Sequence, residues 1–184
     1  MRKGILLLGG SGKRFLPATA LINKHLIPII NKPIFYYSLS CLMLCGIKKI
    51  NIISNSITIK LIKKLIGSGK NLGLNIKYTI QSKPNGIAEG IMLSKKFIGK
   101  SNFALMLGDN FFYAENLPDI FTKISSLNEN TVIAYKVKEP SQFGVLKIKK
   151  NKIIEIIEKP KKYVSDLAVT GLYFYQNNIT NYLK

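Results

Sequence analysis

Residues 9–14 read Gly9-Gly10-Ser11-Gly12-Lys13-Arg14, so glycines cluster directly ahead of two cations. A backbone of this kind reaches φ > 0 and lets amide N–H groups approach an anion with no Cβ in the way. Lys13 and Arg14 then add positive charge, and the combination points to phosphate chemistry. A dinucleotide fingerprint would need glycine at position 15, where Phe15 stands. A Walker A loop would need glycine at 7 and Ser or Thr at 14, where Leu7 and Arg14 stand. What remains is a third kind of phosphate loop, with Lys24 coming after it in a proline-punctuated stretch. Taken alone, the same residues also suit an ordinary strand-to-helix turn.

Three further places carry chemistry. Asp109 closes an apolar run, Phe103 to Leu107, that ends in Gly108. It is either a turn or helix cap or a hard oxygen ligand for Mg²⁺. Gln81, Pro84, Asn85 and Gly86 form a polar, chain-breaking cluster after another apolar segment. Glu158-Lys159-Pro160 follows an apolar segment and precedes a basic loop, and taken alone it reads as a surface ion pair. His25 has no evident partner and reads as structural or exposed.

These residues need elements to position them. Ile5 to Leu8 reads as a buried strand delivering the glycine loop, and the prolines at 17, 28 and 33 exclude one long helix there, leaving a long functional loop. Pro33 opens a helix to about Cys45, which Gly46 ends. Strands are predicted over 49–54, 75–81, 103–107 and 131–137, alternating with helices over 57–66, 87–97 and 117–127. That alternation predicts an α/β fold with a parallel sheet, and in such sheets ligands bind at the carboxyl ends of the strands. The glycine loop, Lys24, Gln81, Gly86 and Asp109 all come after strands. From Gly144 the pattern changes: 145–149 and 152–157 read as a hairpin, 168–175 as a strand in which Gly171 allows close approach, and a last short helix reaches Lys184.

The chain of 184 residues is long enough for one core and too short for two ordinary domains. Its net charge of +19 invites nucleic acid as a partner, yet Arg2 and Arg14 are the only arginines and the lysines are spread along the whole chain. The charge therefore reads as composition, with no specific nucleic-acid stripe. Cys41 and Cys45 lie in an apolar segment and read as buried free thiols, suited to a reducing cytoplasm. No signal peptide or membrane span is expected, because no apolar run is long enough.

The loop 9–14, Lys32-Pro33, the segment from Gln81 through Pro84-Asn85-Gly86-Ile87-Ala88, Leu107-Gly108-Asp109-Asn110, Phe143-Gly144-Val145, Glu158-Lys159-Pro160 and Val169 to Tyr175 occur here in one order. Together they resemble the sugar-phosphate nucleotidyltransferase family, on its thymidylyl-transferring side, over essentially the whole chain. The resemblance implies a Rossmann-like three-layer α/β/α fold with a mostly parallel central sheet, incomplete at its C-terminal end. It divides the chain into a nucleotide-binding part, 1–137, and a sugar-phosphate-binding part, 138–184. It implies Mg²⁺-dependent, in-line transfer from dTTP to glucose 1-phosphate, giving dTDP-glucose and pyrophosphate, with a uridylyltransferase as the closest rival.

By the same resemblance Gly9, Gly10 and Gly12 cradle the nucleotide, Arg14 steadies the pyrophosphate, Lys24 neutralises the phosphates, and Gln81 and Gly86 read thymine. Asp109 is the metal ligand, and Gly144, Glu158, Lys159, Val169 and Tyr173 form the sugar-phosphate pocket. The family usually has Thr where Lys13 stands and Leu where Phe15 stands, and its chain runs on to a second acidic metal ligand, further strands and oligomer contacts. The expectation is therefore a homo-oligomer in the full-length family. For this chain it is either an enzyme, alone or with a separately encoded remainder, or a nucleotide-binding remnant.

Overall fold

The computed structural model describes residues 2–10, 12, 16–83, 85–150 and 152–183. Strand β1 (Lys3–Leu7) is central. It pairs in parallel with β4 (Lys49–Ser54) on one side and β6 (Phe103–Leu107) on the other, and β4 pairs in parallel with β5 (Asn75–Ile80). Beyond β6 the sheet turns antiparallel through β10 (Leu167–Tyr175), which also pairs with β7 (Thr131–Lys136) and β8 (Gly144–Lys149). The hairpin of β8 and β9 (Lys152–Glu158) forms the far edge. The order is β5-β4-β1-β6-β10-β8-β9, with β7 on β10. Among the described strands of this sheet, only β9 and β10 run against the common direction, so it is mixed but mostly parallel.

The strands alternate between two layers because successive side chains point to opposite faces. Leu6, Leu8, Ile50, Ile52, Ala104 and Met106 pack under α1 (Ile34–Leu44), α2 (Ser56–Ile66) and α5 (Leu117–Ser126), where Phe35, Ile62 and Phe121 meet them. Ile5, Leu7, Ile53, Phe103 and Leu105 face the other way, toward Ile91 of α3 (Ile87–Leu93) and Ile98 of α4 (Lys95–Ile98). This is the three-layer α/β/α arrangement expected from the alternation of strands and helices. Cys41 and Cys45 are buried free thiols. No helix among the described residues is long and apolar enough to cross a membrane.

Three local expectations need correction. The stretch before α1 is not purely loop: β2 (Pro28–Ile29) and β3 (Lys32–Pro33) make a small antiparallel ribbon of their own. The helix predicted over 87–97 is two helices, broken at Ser94, whose buried hydroxyl accepts from the Asn51 side chain at 2.9 Å. The last helix is a 3₁₀ turn, Asn177–Asn181.

Candidate functional site

The carboxyl ends of β1, β4, β5 and β6 lie side by side, and short backbone bonds carry the pairing past the strand ends: Leu8 N–H donates to Ile53 O at 2.8 Å, Gly108 N–H to Leu7 O at 3.0 Å and Gln81 N–H to Ser54 O at 2.9 Å. The loops leaving these strands are thereby delivered to one place. A cavity of about 210 Å³ opens there, lined by Gly9, Gly10, Lys24, Gln81, Gly86 and Asp109 together with His25 and apolar neighbours. Six of the sequence-predicted site residues thus share one wall.

The first loop is held from inside. Gly12 has φ of +61°, and its carbonyl accepts from the Thr19 hydroxyl at 2.7 Å. A Cβ at Gly12 would meet Thr19 Cγ2 at 2.9 Å, so both conformation and space call for glycine. Lys13, Arg14, Phe15 and Pro84 lie outside the described residues.

Lys24 stands in a 3₁₀ turn, Lys24–Leu26, capped by Asn23, whose side-chain oxygen accepts from His25 N–H at 3.0 Å. The Lys24 ammonium donates to Asp109 Oδ2 and also lies beside Gly10, where a Cβ would stand 3.6 Å from it. The loops after β1 and β6 are thus bridged across the cavity by one ion pair. Burial alone would raise the Asp109 carboxyl, but the hydrogen bond from Lys24 and its charge, with smaller contributions from His25 and Asn110, hold it below its ordinary value.

Of the two alternatives for His25 the structural one holds: it is buried, and it has a partner that the sequence did not reveal. Its Nδ1 lies 2.6 Å from Asn23 Oδ1, an oxygen that can only accept, so the ring donates from Nδ1. Burial, then the neighbouring Lys24, pulls its pKa down to about 4, which keeps the ring neutral at physiological pH. The signal in the sequence was Asn23, a capping residue type just ahead of a short turn.

Two other residues had no role assigned from the sequence, although Asn110 stands in the motif Leu107-Gly108-Asp109-Asn110. Asn110 Oδ1 accepts from Gly171 N–H at 2.9 Å, and its Nδ2 donates to Asp109 Oδ1 at 3.2 Å. Glu89, in the first turn of α3, accepts from the side chains of Gln81 and Asn85.

The residues expected on the sugar side do not line this cavity. They form a second group on the antiparallel part of the sheet. Gly144 lies opposite Glu158 in the β8–β9 ladder, and a Cβ there would meet Glu158 Oε2 at 2.8 Å. Lys159 takes a left-handed conformation, φ +45°, unusual for a side chain of its kind, and its N–H donates to Phe143 O at 2.9 Å. Tyr173 is paired between β6 and β7; burial, then the Glu158 carboxylate, pushes its phenol up. Val169 lies on the same strand beside Ala134.

Among the described residues no cluster of three or more His, Cys, Asp or Glu side chains could hold a metal ion. Asp109 is the carboxylate at the cavity wall. A single carboxylate fits a hydrated divalent ion, which takes most of its oxygens from water.

The chain is similar to known proteins over nearly its whole length. A glucose-1-phosphate thymidylyltransferase of Neisseria meningitidis is 41% identical over 184 residues, covering 99% of this chain and 64% of that protein. This chain therefore spans less than two thirds of that relative's length. A Bacillus anthracis structure, described as a glucose-1-phosphate thymidylyltransferase in complex with sucrose, superposes with a TM-score of 0.89 at 36% identity, covering 99% of this chain and 74% of that one. A UDP-glucose pyrophosphorylase complexed with UDP-glucose superposes with a TM-score of 0.83 at 26% identity, covering 100% of this chain and 79% of that one. The family profile described as nucleotidyl transferase matches residues 3–184. With that match over a three-layer fold whose strand ends gather glycines, a lysine and an aspartate, the chain belongs to the nucleotidyl transferase family.

Proposed function

We propose that the chain forms the nucleotide- and sugar-phosphate-binding part of a glucose-1-phosphate thymidylyltransferase, moving a deoxythymidylyl group from dTTP to α-D-glucose 1-phosphate and releasing pyrophosphate in the cytoplasm. The observation that carries this is the meeting of Gly9, Gly10, Lys24, Gln81, Gly86 and Asp109 on one cavity, in a chain 41% identical to a thymidylyltransferase.

In the proposed reaction a phosphate oxygen of the sugar attacks the α-phosphorus of dTTP in line. The bond from that phosphorus to the bridging oxygen breaks, and pyrophosphate leaves with the electron pair. Catalysis is then positioning and charge stabilisation, with no covalent intermediate on the protein. The amides of Gly9, Gly10 and Gly12 cradle the triphosphate, Lys24 neutralises it, and Arg14 steadies the leaving pyrophosphate. Gln81 and Gly86 read the base. Asp109 would hold Mg²⁺, which when bound screens the phosphate charge and orients the α-phosphoryl group. On the other side Gly144, Glu158, Val169 and Tyr173 hold the sugar, and Lys159 its phosphate. The labour divides near residue 137.

The test is pyrophosphate release by the 184-residue chain with dTTP, glucose 1-phosphate and Mg²⁺. Release is expected, with a loss of about a hundredfold or more in Asp109→Ala. Silence in the wild type, even with a separately encoded remainder supplied, overturns the reading. Uridylyl transfer is the second reading, favoured by the likeness to the UDP-glucose pyrophosphorylase fold. Competition of UTP against dTTP decides between them.

A further inference from the structure

Glu89 has no place in the proposed reaction, yet it holds one of the groups that does. Gln81 Nε2 donates to Glu89 Oε2, and Asn85 Nδ2 donates to Glu89 Oε1 at 3.1 Å. A side-chain amide is ambiguous by itself, with a donor and an acceptor on two similar arms. A carboxylate resolves the ambiguity, because it accepts and an amide oxygen turned toward it would be repelled. The Gln81 amine is therefore committed to Glu89, and its Oε1 is turned to the glycine loop, where a Cβ on Gly9 would lie 3.4 Å from it. Gln81 is only 5% exposed, and what surface it keeps lies on the cavity wall.

We propose that Glu89 is a positioning residue that sets the sense of the Gln81 amide, so that the cavity presents an acceptor oxygen to the base. This rests on the reading of Gln81 as a base reader. An acceptor at that place selects a pyrimidine carrying an imide N–H, as thymine and uracil do, and rejects cytosine, which has a lone pair on the same ring nitrogen. Without Glu89 the amide is free to turn over and offer its amine instead, and the discrimination collapses because either ring nitrogen then finds a partner.

The experiment is equilibrium binding of dTTP and dCTP to the full chain as wild type, Glu89→Ala and Glu89→Leu, the last filling the volume should the alanine variant not fold. The wild type is expected to prefer dTTP. In the variants the dTTP-to-dCTP preference is expected to fall about tenfold, through weaker dTTP binding with dCTP binding held or improved. A merely structural role for Glu89 at the start of α3 would weaken both nucleotides alike. A preference that survives in the variants therefore overturns the inference and leaves the base reader standing. A wild type with no preference overturns both.

Discussion

Gly171 has no room for a side chain. A Cβ there would lie 2.4 Å from Asn110 Nδ2, and its own N–H already donates to the other arm of that amide. It sits where the pairing of β10 with β7 shifts between Val169 and Tyr173, so a strand irregularity is filled by a side chain from the loop after β6. Gly171→Ala must evict Asn110, which is also bonded to Asp109, and is expected to cost about 1–3 kcal/mol in urea unfolding. Lys24→Met removes the partner that outweighs burial at Asp109. The Asp109 carboxyl is then expected to titrate at a higher pH than in the wild type, read by ¹³C NMR of the labelled side chain.

Asn51 plays a similar role one level up. It is buried in β4, donates to Ser94 Oγ at 2.9 Å and accepts from Thr79 Oγ1 at 3.0 Å, so a single amide ties the centre of the sheet to the junction of α3 and α4 and to β5. Asn51→Ala strands the buried Ser94 hydroxyl and is expected to cost about 1–3 kcal/mol, measured by thermal or urea unfolding. This tether explains what sequence could and could not reveal. The bounds of β4 and β6 were legible because isoleucines and apolar runs stop at Ser54 and Gly108, which are local signals. The break at Ser94 was not, because its cause lies in a strand 43 residues away. Gln81, Gly86 and Asp109 were legible as residues placed just past strands. Glu89 was hidden because a glutamate in the first turn of a helix needs no further explanation. The partner of His25 was hidden for a related reason: its short turn packs against α1 and its ring stands against Gly108, both distant in sequence, and the prolines that mark this stretch concealed a β2–β3 pair.

The molecule as a whole keeps its two thiols protonated. Burial pushes Cys41 up to about 11, while burial and the neighbouring Cys41 push Cys45 to about 12, against an ordinary value of 9.0. Unfolded chains would lose these protons first. The stability this provides is complete below about pH 9 and is lost as pH rises from there toward the folded values. The chain is expected to unfold more readily in alkali, and both thiols to stay silent toward a thiol reagent at pH 7.5 until denaturant is added.

Among the described strands, β10 is the only partner of β7, and it alone joins the β8–β9 hairpin to the parallel strands through β6. It is also the last of them in the chain. During synthesis the parallel strands can assemble as they emerge, while β7, β8 and β9 wait without a place in the sheet and β6 keeps an open edge. Residues 167–175 close all of these at once. The sheet is therefore joined up by a late, long-range event, and the interval before it is when the nascent chain most needs protection from its neighbours.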